Sequence, residues 1–88
     1  MASHKSAIKR TRQAEERRLR NRSIRTRAKS AIKDVRLAVG QNQREDALRR
    51  LNEAKSVIDK ASKRNVIHKR AAARKISRLA RLINTLGA

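Results

Sequence analysis

The chain is predicted to be all-α: a three-helix bundle whose first helix runs on beyond the bundle as a basic arm. Three observations point there. Proline is absent from the 88 residues and glycine occurs only at Gly40 and Gly87. Ala, Arg, Lys, Leu, Gln and Glu, the better helix formers, dominate the composition. Apolar residues recur at alternating spacings of three and four in three separate stretches, each the narrow seam of a helix packed in an antiparallel bundle.

The first seam is Ile24, Ala28, Ala31, Val35 and Ala38, flanked by Ile32 and Val39. Gly40 fits the position just past a helix end, where a left-handed backbone is tolerated. Asn42-Gln43-Arg44-Glu45 then reads as an N-cap with Glu at the third helical position, and Asp46 adds a second anion near the positive end of the helix dipole. One helix is therefore expected to end near Val39 and the next to begin near Gln43. The second seam is Leu51, Ala54, Ile58 and Ala61, flanked by Leu48 and Val57. A short loop makes the first two helices antiparallel neighbours.

The second break is placed at residues 63–67. Extending the second seam past Ala61 would put Asn65 and His68 on the apolar stripe, with Val66-Ile67 out of phase. Asn65 also tolerates a left-handed backbone. One helix from 43 to 86 is the alternative, and it would leave its second half unpartnered in a monomer. The third seam is Ala72, Ile76, Leu79, Ile83 and Leu86. Before Ile24 the stripe disappears, although nothing breaks the helix. The expected organisation is one domain, 1–88, with a helical arm at 3–23 and a bundle at 24–86. The arm repels itself and is expected to order on a partner.

Charge is segregated along the chain. Residues 1–33 carry twelve Lys/Arg against Glu15 and Glu16, residues 34–59 carry five of each sign, and residues 60–88 carry nine Lys/Arg and no acid. The total is +19. Self-repulsion of that size opposes a compact state. A polyanion removes the difficulty, because each Lys or Arg placed on a phosphate releases condensed counterions. The arm residues Lys5, Lys9, Arg10, Arg12, Arg17, Arg18, Arg20, Arg22, Arg25, Arg27, Lys29 and Lys33 fall on every side of a helix. A second basic surface gathers Lys60, Lys63 and Arg64 with Lys69, Arg70, Arg74, Lys75, Arg78 and Arg81. The two surfaces together suggest a clamp between helices of one folded nucleic acid. Arg outnumbers Lys seventeen to nine, which favours bidentate phosphate contacts. With no Phe, Tyr or Trp, stacking platforms for single strands are missing, so phosphate and shape recognition is favoured.

Other classes fit poorly. His4 and His68 are the only histidines, cysteine is absent, and no phosphate-loop, zinc-protease or nucleophile-elbow pattern occurs. No catalysis, metal or cofactor is expected. Asp34, Glu45, Asp46, Glu53 and Asp59 each lie near Lys or Arg at helical spacing, and Arg49 and Arg50 stand four residues after Glu45 and Asp46. Surface ion pairs account for them. His68 opens the third helix, suited equally to phosphate contact or to solvent. No apolar run approaches the ~20 residues of a membrane span, and the N-terminus lacks the apolar block of a secretory signal. An Arg-rich start can suit an organelle transit peptide, and Glu15 and Glu16 argue against one. All-round charge without aromatic anchors argues against a membrane-surface helix. A general DNA-compacting protein is the remaining alternative.

Lys5-Ser6-Ala7-x-Lys9-Arg10, Glu16-Arg17-Arg18, Asn21, Val66-Ile67-His68-Lys69, Ala72-Ala73-Arg74 and Ser77-Arg78-Leu79 resemble the family of bacterial small-subunit ribosomal protein number twenty. The similarity runs over essentially the whole chain. It implies a three-helix bundle with an extended first helix, and direct binding to small-subunit ribosomal RNA early in assembly. It also implies a cytoplasmic monomer within the subunit, with other ribosomal proteins as minor partners. Carried over by position, Lys5, Lys9, Arg10, Arg17, Arg18, Asn21, Arg25, His68, Lys69 and Arg74 are the foremost RNA contacts. Two positions depart from the family pattern. Asn65 stands where Gly is common, and Arg70 stands where Asn is common, which puts an amide contact there in doubt and keeps a phosphate contact open.

Overall fold

A computed structural model describes residues 2–87, and the side chains of residues 4–86. Met1 and Ala88, the ends of the expected domain, and the side chain of Ser3 lie outside them. Three helices follow in order: α1 over Ala2–Gly40, α2 over Arg44–Lys63 and α3 over Lys69–Asn84, with a 3₁₀ turn at Thr85–Gly87. The molecule measures 68 × 22 × 14 Å. Most of its length is that of α1, which at ~1.5 Å per residue spans about 58 Å. No helix of the described residues is long and apolar enough to cross a membrane.

The α1–α2 loop corrects two sequence expectations. Gly40 stays helical and has no positive φ, and the left-handed residue is Asn42 at φ 56°. The Gln43 N–H donates to the Ala38 carbonyl and the Asn42 N–H to the Val39 carbonyl, both at 3.0 Å. That pair of bonds is the Schellman arrangement, which satisfies carbonyls the helix end leaves open. Asn42 is thus spent closing α1 and does not cap α2. Gln43 takes the N-cap position without a side-chain bond.

The α2–α3 turn repeats the solution. Asn65 has φ 59°, and its N–H reaches the Ser62 carbonyl at 3.0 Å while the Val66 N–H reaches the Ala61 carbonyl at 2.9 Å. The break expected at 63–67 is therefore observed. Asn serves twice where Gly is usual, because its short polar side chain tolerates the left-handed region. Ile67, out of phase as part of a helix, packs on the core from the turn.

Three stripes meet in that core. Ala28, Val35 and Ala38 of α1 face Ala47, Leu51, Ala54, Ile58 and Ala61 of α2 and Ala72, Leu79 and Ile83 of α3, all buried. Ala31, Ile32, Val39, Val57 and Ile76 pack at the margin. The second stripe begins at Ala47, fully buried, while Leu48 is 41% exposed. Positions 47, 51, 54, 58 and 61 keep the 4-3-4-3 spacing, which Leu48 breaks. At about 100° per residue, Leu48 lies far round the helix from the stripe. Leu86 is half-buried in the 3₁₀ turn and does not extend α3. Asp34 lies beside Arg50, Ala38 beside Asp46, and Ile24 beside Val57 and Ala61. The register is that of antiparallel neighbours.

Candidate nucleic-acid interface

Side chains from residue 4 to residue 20 are all exposed, Ile8 and Leu19 included at 55% and 63%. None of these side chains belongs to the core, and Leu19 borders a surface it shares with Glu53 and Val57 of α2. Lys5, Lys9, Arg10, Arg12, Arg17, Arg18 and Arg20 surround this part of α1, and Arg22 and Arg25 continue the array towards the bundle, with Asn21 half-buried between them. Glu15 and Glu16 form no ion pair among the described residues.

Within the bundle the stripe of α1 divides its cations into two flanks. Lys29, Lys33 and Arg36 lie at spacings of four and three on one side. They line a groove against α3 together with Lys75 and Arg78, over a floor of Ile32, Leu79 and Leu82. No carboxylate lines this groove. On the opposite flank Arg27 joins Lys60 and Arg64 in a cleft against α2, also without an acid. Further along that flank the charge changes: Asp34, Arg50 and Glu53 line one shared surface with Arg22 and Arg27.

Three of the five acids of the neutral segment, Asp34, Asp46 and Asp59, form ion pairs, and Glu45 and Glu53 form none among the described residues. The Arg50 Nε donates to Asp46 at 3.0 Å, Arg49 donates to the other Asp46 oxygen, and Arg50 stands 3.7 Å from Asp34 across the α1–α2 contact. Arg49 thus pairs with Asp46 and not with Glu45, three residues back instead of four. The hydrogen bond from Arg50, seconded by Arg49, holds the Asp46 carboxyl below its usual 3.8, and the same bond to Asp46 raises the Arg50 pKa. A lowered folded value means that this pair stabilises the fold above the ordinary carboxylate value and fades as acid protonates Asp46. Lys63 reaches Asp59 at 3.8 Å. It alone among the sequence-predicted contacts has a carboxylate partner in the described residues.

His68 has a role that sequence reasoning missed. It is the N-cap of α3, extended at φ −62° and ψ 141°, and its Nδ1 accepts the Arg70 N–H at 3.1 Å. Accepting that bond requires the lone pair on Nδ1, so the proton of the neutral ring sits on Nε2. The ring is exposed, with Lys69 and Arg70 following it. Lys69, Arg70 and Arg74 are exposed on the first turns of α3 and line neither groove. His68→Ala is expected to cost about 1 kcal/mol in urea melts, as loss of an N-cap does. His68→Ser restores the cap. If the serine variant melts like the alanine variant, capping is not what His68 contributes.

Arg36 was also missed. It stands in the segment that sums to zero charge, yet the spacing from Lys29 and Lys33 puts it on their flank. Among the described residues, no group of three His, Asp or Glu could hold a metal ion.

Residues 2–84 match the family described as ribosomal protein S20. The chain belongs to that family. It is 54% identical over 86 residues to the small ribosomal subunit protein bS20 of Syntrophobacter fumaroxidans, covering 98% of this chain and 100% of that protein. The protein of the same name from Desulfovibrio desulfuricans is 52% identical over 88 residues, 100% of this chain and 99% of its own. Membership makes the chain a structural ribosomal protein and not an enzyme. The long first helix and the two Asn-closed turns are then the fold of this S20 protein.

Proposed function

We propose that the chain binds small-subunit ribosomal RNA directly, neutralising phosphates and bracing neighbouring RNA helices during and after assembly of the subunit. It works as a monomer and a single domain in the cytoplasm, with residues 3–23 as the arm and other ribosomal proteins as minor neighbours. One observation carries the reading: an exposed helix ringed with unpaired cations continues into two acid-free basic clefts on opposite flanks. The residues assigned to RNA are Lys5, Lys9, Arg10, Arg12, Arg17, Arg18, Arg20, Asn21, Arg22, Arg25, Arg27, Lys29, Lys33, Lys63, Arg64, His68, Lys69, Arg70, Arg74, Lys75 and Arg78. Charge supplies most of the affinity, and the fixed separation of the surfaces supplies register on a folded RNA. His68, its cap made through Nδ1, keeps Nε2–H free to donate to a phosphate.

Binding to folded small-subunit ribosomal RNA and to duplex DNA of similar length, across a salt series, tests this. Both are expected to weaken steeply with salt. At physiological salt the RNA is expected to bind at least about a hundredfold tighter, roughly 2.7 kcal/mol. Coincident curves would refute the reading and favour a general nucleic-acid compactor.

A further inference from the structure

The cations of the bundle are not equivalent, and their placement gives the bundle a front and a back. At the back, on the α1–α2 side, Asp34, Asp46 and Glu53 gather around Arg50. At the front, five cations from α1 and α3 line one groove with no acid among them. An isolated phosphate would need only one or two of these cations. A groove with basic rows on both walls and an apolar floor suits a continuous phosphodiester strand. Its phosphates meet the walls, and its riboses lie over the floor of Ile32, Leu79 and Leu82.

We infer that the α1/α3 groove grips one strand of the RNA backbone, with Arg36 as a contact in it, and that only the acid-bearing end of the α1–α2 flank, around Asp34, Asp46 and Arg50, faces away from the RNA. This rests on the RNA-binding reading and specifies which face of the bundle performs it. Arg49 and Arg50 are engaged there by Asp46 and Asp34, so this end offers phosphate fewer free cations than the groove does. The groove walls also belong to two different helices, so a bound strand ties α3 to α1 and stabilises the fold that presents it.

The test compares two double variants of equal charge in the full chain, Lys33→Gln/Arg36→Gln in the groove and Arg44→Gln/Lys55→Gln on α2. All four side chains are exposed, so both proteins are expected to melt like the parent. Binding to folded small-subunit ribosomal RNA is measured across a salt series. The groove variant is expected to bind at least tenfold more weakly, with a salt slope flatter by roughly 1.5, the loss of about two phosphate contacts. The α2 variant is expected to stay within threefold of the parent. Equal losses would overturn the inference, since charge would then act without regard to face, and so would an unimpaired groove variant. The parent's preference for RNA over DNA is a separate measurement, so failure of the underlying reading is told apart from failure of the groove.

Discussion

Replacing Ile58 with alanine is expected to destabilise the bundle by about 2–5 kcal/mol, the range for truncating a fully buried large side chain. Ile58 is 0% exposed and belongs to the α2 stripe. Six of the eleven buried residues among those described are alanines. Alanine lets helices approach closely but buries little area, so apolar stabilisation is concentrated in Val35, Leu51, Ile58, Leu79 and Ile83. Small domains stand at the low end of the usual ~5–15 kcal/mol. A loss of this size therefore removes much or all of the free protein's stability. Urea melts followed by far-ultraviolet circular dichroism measure it. Leu48→Ala removes as large a side chain from an exposed site and is expected to change stability by less than about 0.5 kcal/mol. Similar losses in the two variants would show that the buried stripe is not where stability lies. Binding to the native state raises apparent stability, so ribosomal RNA is expected to restore helicity to the Ile58 variant in part.

The stripes were legible because α-helical periodicity is a property of spacing, and spacing is printed in the sequence. What spacing could not convey was the backbone at the ends. Gly40 drew the expectation of a left-handed residue because glycine has no Cβ to clash. The carbonyls left open by α1 are nevertheless reached from Asn42 and Gln43, and a Cβ at Gly40 would meet nothing within 4 Å. The same logic predicted Asn65 correctly, since no glycine competed with it nearby. The second stripe reads from Leu51 with Leu48 at its flank, although the same spacing carries it back to Ala47, which is the buried residue. Arg36 was hidden by averaging charge over a segment that crosses from one helix into the next. Two residues near each other in sequence, Asp34 and Arg36, fall on opposite flanks of α1, and only a helical projection separates them. His68 as a cap follows from backbone conformation, which its side-chain chemistry does not announce.

Deleting residues 3–23 is expected to leave the melt of the bundle unchanged and to weaken RNA binding at least a hundredfold at physiological salt. The first half holds because the described side chains of this stretch, up to residue 20, are exposed and none belongs to the core. The second follows from the eight cations removed, Lys5 to Arg22, against two acids. If four of them rest on phosphates, the salt slope flattens by roughly 3. A flexible polycation would also lose affinity on deletion, so geometry needs its own test. Leu19→Pro keeps every charge and interrupts α1 at an exposed residue outside the core, at a cost of about 3 kcal/mol to the helix. A straight arm holds its cations at fixed positions up to about 25 Å beyond the bundle, which a kinked one cannot do. The Pro variant is therefore expected to bind ribosomal RNA at least tenfold more weakly while its affinity for duplex DNA changes little. The helix also bears its own repulsion, which phosphate neutralises, so the parent is expected to gain helical dichroism on RNA and to gain less once the arm is deleted. Equal RNA affinities for parent and Pro variant would mean that the arm serves as a loose tether, and register would then have to come from the bundle alone.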